Sequence, residues 1–168
     1  MRRSAVLSNE PVPPYRYRLE RDMGQGGKTA AVIMVNPSTA DAEKDDHTIR
    51  KLLGFAQRLG IGRLIVGNKF ALRATDVTEL KAARDPIGPF NDAHLEQIMR
   101  DADLHIVAWG PLAKLAPTMR GRWKRIVDIA RHHVGCPLYC FGTAQDGQPL
   151  HPLTPGYDRP LVLWTPLR

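Results

Sequence analysis

Hydrophobic residues along the chain gather in four short runs, at residues 30–35, 64–66, 104–109 and 138–141. Each run is apolar almost throughout instead of alternating with polar residues. Strands that helices cover on both faces have this composition, because neither face meets water. The pattern therefore predicts four strands in the interior of a sheet.

The segments between these runs repeat their apolar residues at the spacing of an amphipathic helix. Asn91 and Asp92 precede the second such segment and are expected to cap its helix. Strands that alternate with helices predict a three-layer α/β/α fold with a mostly parallel, four-stranded central sheet. The three apolar stripes are formed by Ile49, Leu52, Leu53, Ala56 and Leu59, by Leu95, Ile98 and Met99, and by Trp123, Ile126, Val127 and Ala130.

The N-terminal part of the chain follows a different pattern. Residues 1–14 contain prolines and are expected to form an extended lead-in. In residues 15–22, aromatic or aliphatic residues alternate with Arg16, Arg18 and Glu20, which predicts an edge strand or hairpin with one wet face. Because the 168 residues contain no linker or repeat, we expect one α/β domain over residues 1–168.

The formal charge of +7 comes from Lys and Arg spread along the chain. A basic protein of this kind is expected to bind polyanions, namely nucleic acids or nucleotides. No apolar run approaches the roughly 20 residues that span a bilayer, and Arg2-Arg3 is not followed by the apolar core of a signal peptide. We therefore expect a cytoplasmic monomer that makes no contact with membranes.

Two cysteines, Cys136 and Cys140, are spaced C-x3-C. Structural zinc sites use four ligands, with closer cysteine pairs. If residues 137–141 form a strand, both thiols lie on one face of it and pack in the core. We therefore expect no metal and no other cofactor.

In open α/β sheets, ligands bind in the loops outside the carboxyl ends of the strands. The four loops that follow the apolar runs are residues 36–46, 68–75, 109–114 and 142–153. These loops are also the most unusual parts of the sequence. We expect the functional site to lie among them.

The first loop begins at Asn36-Pro37, which ends the strand because proline fixes its own backbone and favours an extended residue before it. Capping of the following helix is the favoured role of Asp45 and Asp46, since carboxylates stabilise a helix N-terminus. Capping of the helix does not account for Asp41. Its role stays open, and a Mg²⁺ ligand is one alternative.

Asn68, Phe70 and Arg73 in the second loop have two interpretations of equal weight. In one, the amide reads a base edge, the ring stacks on it and the guanidinium pairs with phosphate. In the other, they are a turn residue, a core residue and an arginine tied to Asp76 or Glu79. His151, in the Gly- and Pro-containing last loop, is a candidate donor to an anion.

Most of the chain from about residue 30 resembles a bacterial and phage family known as a domain of unknown function. The likeness is carried by NPSTADAEKDDHTIRKLLGFAQRLGIGRLIVGNKFALRATDVTEL, by DPIGPFND and AWG, and by the pattern G-x-P-x-H-P-L. That family brings no established activity. It therefore constrains the fold more than the function.

More remotely, four short motifs resemble those of the uracil-DNA glycosylase superfamily, in the same order. Asn36-Pro37 is similar to its first motif, LIVGN to its pyrimidine-reading strand, IVAWGPLAK to its strand ending in Trp-Gly or Leu-Gly, and HPLTP to its closing His-Pro-Ser loop. The resemblance implies a uracil-DNA glycosylase-like fold. It also implies a hydrolase of DNA repair that needs no cofactor.

In such an enzyme the target nucleotide is flipped into a pocket, and the base leaves with negative charge as the sugar becomes oxocarbenium-like. The resemblance implies that Asn36 positions the water, Asn68 reads the base edge and His151 donates to the departing base. It also implies that Pro37 and Ser38 shape the loop against phosphate or the pocket. Leu153 would then lie near the wedge that enters the duplex.

The sequence departs from that superfamily at several points. Asn36 cannot accept a proton, so a lower rate is expected than with aspartate, and Leu153 stands where serine follows His-Pro. The stacking aromatic stays open between Phe55 and Phe70. The acidic residues 41–46 have no counterpart and would repel DNA unless they are neutralised or turned away.

Two further functions compete with base release. The pocket could recognise a modified base or nucleotide without cleaving it, which the amide at Asn36 favours. Alternatively, Asp41, Asp45 and Asp46 could serve a Mg²⁺-dependent nucleotide phosphohydrolase. A glycosylase turns its substrate over, whereas a recognition module does not. The activity of a glycosylase should also survive EDTA, whereas that of a Mg²⁺-dependent phosphohydrolase should not.

Overall fold

The computed structural model describes residues 1–8 and 14–167. Within them, seven strands form one sheet, flanked by three α-helices. The strands are β1 (Arg2–Leu7), β2 (Arg16–Asp22), β3 (Lys28–Met34), β4 (Ile61–Asn68), β5 (Leu104–Val107), β6 (Tyr139–Cys140) and β7 (Val162–Leu163). The helices are α1 (His47–Leu59), α2 (Asn91–Arg100) and α3 (Trp123–Asp128), the last continued by a π-helical segment, Ile129–Val134.

The strands lie in the order β1-β2-β4-β3-β5-β6-β7 and form a mixed sheet. β3 pairs in parallel with β4 and β5, and β5 pairs in parallel with β6. The pairs β1–β2, β2–β4 and β6–β7 are antiparallel. The domain is thus mixed α/β, and the expected mostly parallel sheet of four strands is replaced by a larger sheet with as many antiparallel as parallel pairs.

The flanking strands explain this difference. β1 begins with three polar residues and is mostly exposed, and β7 has only two residues, so neither has the long buried apolar run of an interior strand. The expected lead-in over residues 1–14 contains β1, which takes the edge position that we had expected for residues 15–22. Residues 9–13 of that lead-in lie outside the described part of the chain.

Alternate side chains of β3 enter two separate cores, one on each face of the sheet. Ala30, Val32 and Met34 pack on the side of α1, whereas Ala31 and Ile33 pack on the side of α2 and α3. Burial on both faces is the reason why this strand is apolar throughout. The prediction of interior strands is confirmed for β3.

α1 begins at Asp46, whose Oδ1 accepts a hydrogen bond from the backbone N–H of Ile49 at 2.9 Å. It ends at Gly60, where φ of 65° closes the helix in the left-handed region that favours glycine. The capping role expected of Asp46 is therefore present. No helix in the described part of the chain is long and apolar enough to cross a membrane.

The expected caps of α2 are wrong. Phe90 occupies the N-cap and makes no side-chain cap bond. The amide of Asn91 instead donates to the carbonyl groups of Asn68 and Lys69, at 2.9 and 3.2 Å. The side chain of Asn91 thus ties the start of α2 to the end of β4 rather than satisfying its own helix.

Both cysteines lie against the core between the sheet and α2 and α3, as expected from their spacing. Cys140 is buried and Cys136 is half-buried, and both thiols are free. Burial raises the pKa of each thiol above its ordinary value. Neutral thiols packed among apolar side chains act as small core residues.

Gly67 allows α2 to approach β4 closely. A Cβ at this position would lie 2.8 Å from Leu95 Cδ2 and 3.0 Å from Ile98 Cδ1, and both of these side chains are fully buried. We expect Gly67→Ala to lower the free energy of unfolding by about 1–3 kcal/mol through overpacking, measured by urea denaturation.

The matched control for that substitution is Gly121→Ala. A Cβ at Gly121 meets nothing within 4 Å. Its stability should therefore stay within about 1 kcal/mol of wild type. Equal losses for the two variants would contradict the assigned close packing of α2 on β4.

Candidate functional site

A cavity of about 800 Å³ lies at the carboxyl ends of β3 and β5. Met34 at the end of β3 and Trp109 just after β5 form part of its lining. The rest comes from segments that follow four of the strands, within residues 35–49, 74–77, 110–115 and 151–154, and from Arg16 of β2. The loops singled out from the sequence thus meet around one space.

Some of the predicted site residues line this cavity and others do not. Asn36, Ser38, His151 and Leu153 are in its lining. Pro37, Asp41, Asn68, Phe70 and Arg73 are outside it. The structure therefore brings together the two residues expected to be catalytic, but separates them from most of the expected substrate-binding residues.

Asn36 is held in one orientation by its own hydrogen bonds. Its Nδ2 donates to the carbonyl of Pro37 at 3.0 Å and to that of Ala74 at 2.8 Å. Both amide hydrogens are thereby used, which decides the positions of nitrogen and oxygen in the side chain. Oδ1 has no hydrogen-bond partner within the described residues, so it is the atom that Asn36 offers as an acceptor.

His151 is also oriented by a local bond. The backbone N–H of Leu153 donates to its Nδ1 at 3.3 Å, so in the neutral ring the proton resides on Nε2. Burial lowers the pKa of His151 below 6.5, and Lys114 lowers it further, while Asp46 opposes both. At neutral pH this residue is a neutral ring that donates through Nε2–H.

Arg16 enters the cavity because β2 contains a β-bulge. Along β1, Val6 pairs with Arg18 but Leu7 pairs with Arg16, so one extra residue of β2 lies between them. A bulge of this kind reverses the face on which the next side chain lies. Arg16 is therefore 2% exposed and lines the cavity, and the wet face expected for it is wrong.

Arg21 holds the acidic loop against the sheet. Its Nε donates to Asp45 Oδ1 at 2.7 Å, and its Nη2 donates to the carbonyl groups of Asp41 and Lys44 at 2.6 and 3.1 Å. Arg3 adds a second ion pair with Asp45, at 3.0 Å. Asp45 is one of the acidic residues that were expected to repel DNA, and its charge is neutralised by Arg21 and Arg3.

The three loop carboxylates have separate structural partners. Asp41 Oδ1 accepts hydrogen bonds from the backbone N–H groups of Glu43 and Lys44, and these bonds lower the pKa of Asp41. Asp46 caps α1 as expected, whereas the capping role expected of Asp45 is wrong, since its carboxylate pairs with Arg21 and Arg3 instead. Among residues 1–8 and 14–167, no three His, Cys, Asp or Glu side chains are grouped as a metal site would require. Each of the three carboxylates therefore has a role in the structure of the loop itself.

The predicted residues outside the cavity lie in the surrounding packing. Asn68 is 1% exposed, and neither Nδ2 nor Oδ1 of its side chain has a partner within the described residues. Phe70 packs in a third core cluster with Tyr15 and Tyr17. Arg73 donates to the carbonyl groups of the first loop and forms no ion pair with Asp76 or Glu79. Pro37, which belongs to the first loop, is buried.

Sequence reasoning missed the cations and the aromatic ring of the cavity. Arg16 and Lys114 line it, and Trp109 contributes an indole whose Nε1 donates to Gln148 Oε1 at 2.7 Å. Lys69 lies behind this ring, 5.1 Å from its centre, with its Nζ unpaired among the described residues. Burial, and secondarily Arg122, lowers the pKa of Lys69 to about 7.

A model of the protein family DUF1643, described as a protein of unknown function, matches residues 16–153. The chain belongs to this family. No curated protein and no solved structure matches it significantly. The matched region begins at Arg16 and ends at Leu153, and both of these residues line the cavity.

The His151 ring should remain neutral to lower pH than an ordinary histidine. Because burial lowers its pKa in the folded state, the unfolded chain binds the proton first as the pH falls. The stability of the fold should therefore decrease as the pH falls below about 6.5. NMR titration of the ring nitrogens measures this pKa, and a value at or above 6.5 would contradict the assigned environment.

Asp45→Ala should destabilise the protein because it leaves the fully buried Arg21 without its counter-charge. We expect a loss of about 3 kcal/mol in the free energy of unfolding, measured by urea denaturation. Arg2→Ala is the control, since Arg2 is 90% exposed in its pair with Asp22 and should contribute less than about 1 kcal/mol. Similar losses in the two variants would contradict the anchoring role of Arg21.

Proposed function

We propose that this protein hydrolyses the N-glycosidic bond between a base and its sugar, in a nucleic acid or a nucleotide. The observation that carries the proposal is the presence of Asn36 and His151 in the lining of one cavity, each held in one hydrogen-bonding role. Asn36 offers an acceptor oxygen and His151 offers a neutral N–H donor. Hydrolysis of this bond is assisted by an acceptor that orients the water and by a donor to the departing base.

Asn36 would act on the water. Its Oδ1 can accept a hydrogen bond and align the water's oxygen with the sugar carbon, but an amide cannot take up the proton, which passes to solvent while the released base anion takes one up from solvent. Orientation supplies part of the rate through proximity, while the absent base keeps that rate modest. A slow reaction is therefore expected of this site.

His151 would act on the departing base. Negative charge develops on the base as the bond breaks, and a donor that is already in place stabilises that charge without reorganising. The lowered pKa of His151 makes it a hydrogen-bond donor rather than a source of a full proton at neutral pH. The role is electrostatic.

The cavity suits a planar, partly polar ligand. Its volume falls in the usual range for small-molecule sites, roughly 300–1,000 Å³. Phe55 and Phe70, the two aromatic residues considered from the sequence, are buried in core clusters. The indole of Trp109, oriented by Gln148, is 3% exposed, so we assign it to the wall of the base pocket rather than to a free stacking surface.

We further propose that the domain is a remote relative of the uracil-DNA glycosylase superfamily, with the three-layer α/β/α arrangement expected from its motifs. Two features support this: the strands β4, β3, β5 and β6 are neighbours that run parallel, and helices cover both faces of β3. Asn68 pairs in register with Met34, which lines the cavity. Its unpaired amide is the candidate for reading a base edge after a local shift.

Recognition without cleavage is the second candidate function. It is favoured by the same amide at Asn36, since a residue that cannot accept a proton suits binding as well as slow hydrolysis. In that case the cavity would hold a modified base or a nucleotide unchanged. The two functions differ only in turnover.

Base release measured by mass spectrometry tests the proposal. The substrates are single- and double-stranded oligonucleotides that contain uracil, oxidised, deaminated or phage-type modified bases, with EDTA present. We expect release of one base by wild type, and a decrease of about 10²-fold or more in Asn36→Ala and His151→Gln. His132→Gln, which changes an exposed histidine outside the cavity, should retain full activity.

Absence of release from every oligonucleotide would contradict a glycosylase. Binding of the same oligonucleotides, measured by fluorescence anisotropy, would then support recognition alone if Asn36→Ala weakens it. Release that is unchanged in both Asn36→Ala and His151→Gln would contradict the assigned site even if the activity is real.

A further inference from the structure

Two buried arginines of β2 differ in how their charge is satisfied. Arg21 is 1% exposed and pairs with Asp45, and backbone carbonyl groups accept from its remaining nitrogens. Arg16 is 2% exposed but forms no ion pair within the described residues. Burying a charged group without a partner is costly, so such a group is expected to have a partner in the working state of the protein.

The free donors of Arg16 lie on one edge of its guanidinium. Nη1 donates to the carbonyl of Ala40 at 2.6 Å. Nε is almost wholly out of reach of solvent and has no acceptor, and Nη2 makes no hydrogen bond to a described residue, so an oxyanion would approach this edge from the side of Nη2. The Nε–Nη2 edge carries two parallel N–H groups and matches two oxygens of one oxyanion.

The neighbouring carboxylates do not take this edge. Asp46 is near enough to raise the pKa of Arg16, but its Oδ1 is held by the N–H of Ile49. Asp41 Oδ1 is held by two backbone N–H groups of its own loop. Burial lowers the pKa of Arg16 to about 10, so the side chain is still charged at neutral pH.

Other positive groups share the cavity with Arg16. Lys114 is in the lining, and so are His47 and Thr48, the first two residues of α1. The backbone N–H groups at the start of a helix have no acceptor within the helix and attract anions. The carboxylates of Asp46 and Asp76 in the same lining oppose this attraction. An anion is therefore expected to bind at the Nε–Nη2 edge of Arg16 rather than elsewhere in the cavity lining.

We infer that the Nε–Nη2 edge of Arg16 binds a phosphate group of the ligand, so that the cavity takes a nucleotide unit rather than a free base or nucleoside. This inference rests on the proposed function and adds to it the residue that recognises the phosphate of the substrate. The phosphate belongs either to a free mononucleotide or to the backbone of a nucleic acid. The bulge in β2 is the structural feature that brings this edge to the cavity.

Isothermal titration with inorganic phosphate tests the edge directly. We expect wild type to bind phosphate and Arg16→Gln to bind it about 10- to 100-fold more weakly, since a charge-assisted bidentate contact is lost. Arg63→Gln is the matched control, because it removes the same charge from β4 at a position outside the cavity lining. Lys114→Gln is a second variant at an exposed position and should weaken binding as well.

Absence of phosphate binding by wild type, or equal affinity in wild type and Arg16→Gln, would overturn the inference. Tighter binding of acetate than of phosphate would overturn it too, since the edge would then belong to a carboxylate. Thermal unfolding of Arg16→Gln without phosphate provides a check on folding. We expect it to be no less stable than wild type, because a buried unpaired charge is removed.

Titration of a deoxynucleoside 5′-monophosphate, its nucleoside and a short oligonucleotide identifies the source of the phosphate. If the mononucleotide binds more tightly than the nucleoside and this difference depends on Arg16, the phosphate is that of a free nucleotide. If the oligonucleotide shows this Arg16-dependent advantage instead, the phosphate is that of a nucleic acid backbone. Base release that is unaffected in Arg16→Gln would overturn this inference and leave the glycosylase proposal standing. Arg16-dependent phosphate binding without any base release would support this inference and contradict the glycosylase proposal.

Discussion

The parallel pairing of β3 with β4 and β5 is the constraint from which the site follows. Because β3 is buried on both faces, its polar groups can lie only at its ends, and parallel neighbours place their own ends at the same edge. Asn36 lies shortly after the end of β3, and Trp109 lies shortly after the end of β5. A cavity at this edge is therefore lined by residues that lie far apart in the chain.

β2 supplies the electrostatics of this edge through its two arginines. Every nitrogen of the Arg21 guanidinium donates a hydrogen bond, and those to the Asp45 carboxylate and to the carbonyl groups of Asp41 and Lys44 hold the acidic loop against the sheet. Arg16 lines the cavity, forms no ion pair with a described residue and has no acceptor for its Nε. One arginine thus stabilises the fold of the loop, while the other leaves a charge for a ligand. A one-residue bulge between them is what allows both to lie on the same side of the sheet.

The features that sequence reasoning predicted correctly depend on local pattern. The burial of β3 follows from its unbroken apolar run, and the start of α1 follows from Asp46 before a helical stripe. The features that it missed depend on pairing over long distances. β7 has two residues that pair with β6 through backbone alone, and Asn91 leaves its expected cap to bond carbonyl groups at the end of β4. Neither arrangement has a signature in the residues themselves.

Composition and periodicity alone were enough to place the interior strands, the helical stripes and the loops in which Asn36 and His151 lie. Each of these depends on contacts within a few residues, so the local pattern carries them. The tertiary structure alone decided which side chains share the cavity and which way they point. A shift of one residue in strand register turns a side chain to the other face, which is why Arg16 follows a solvent-facing pattern in the sequence and is buried in the fold.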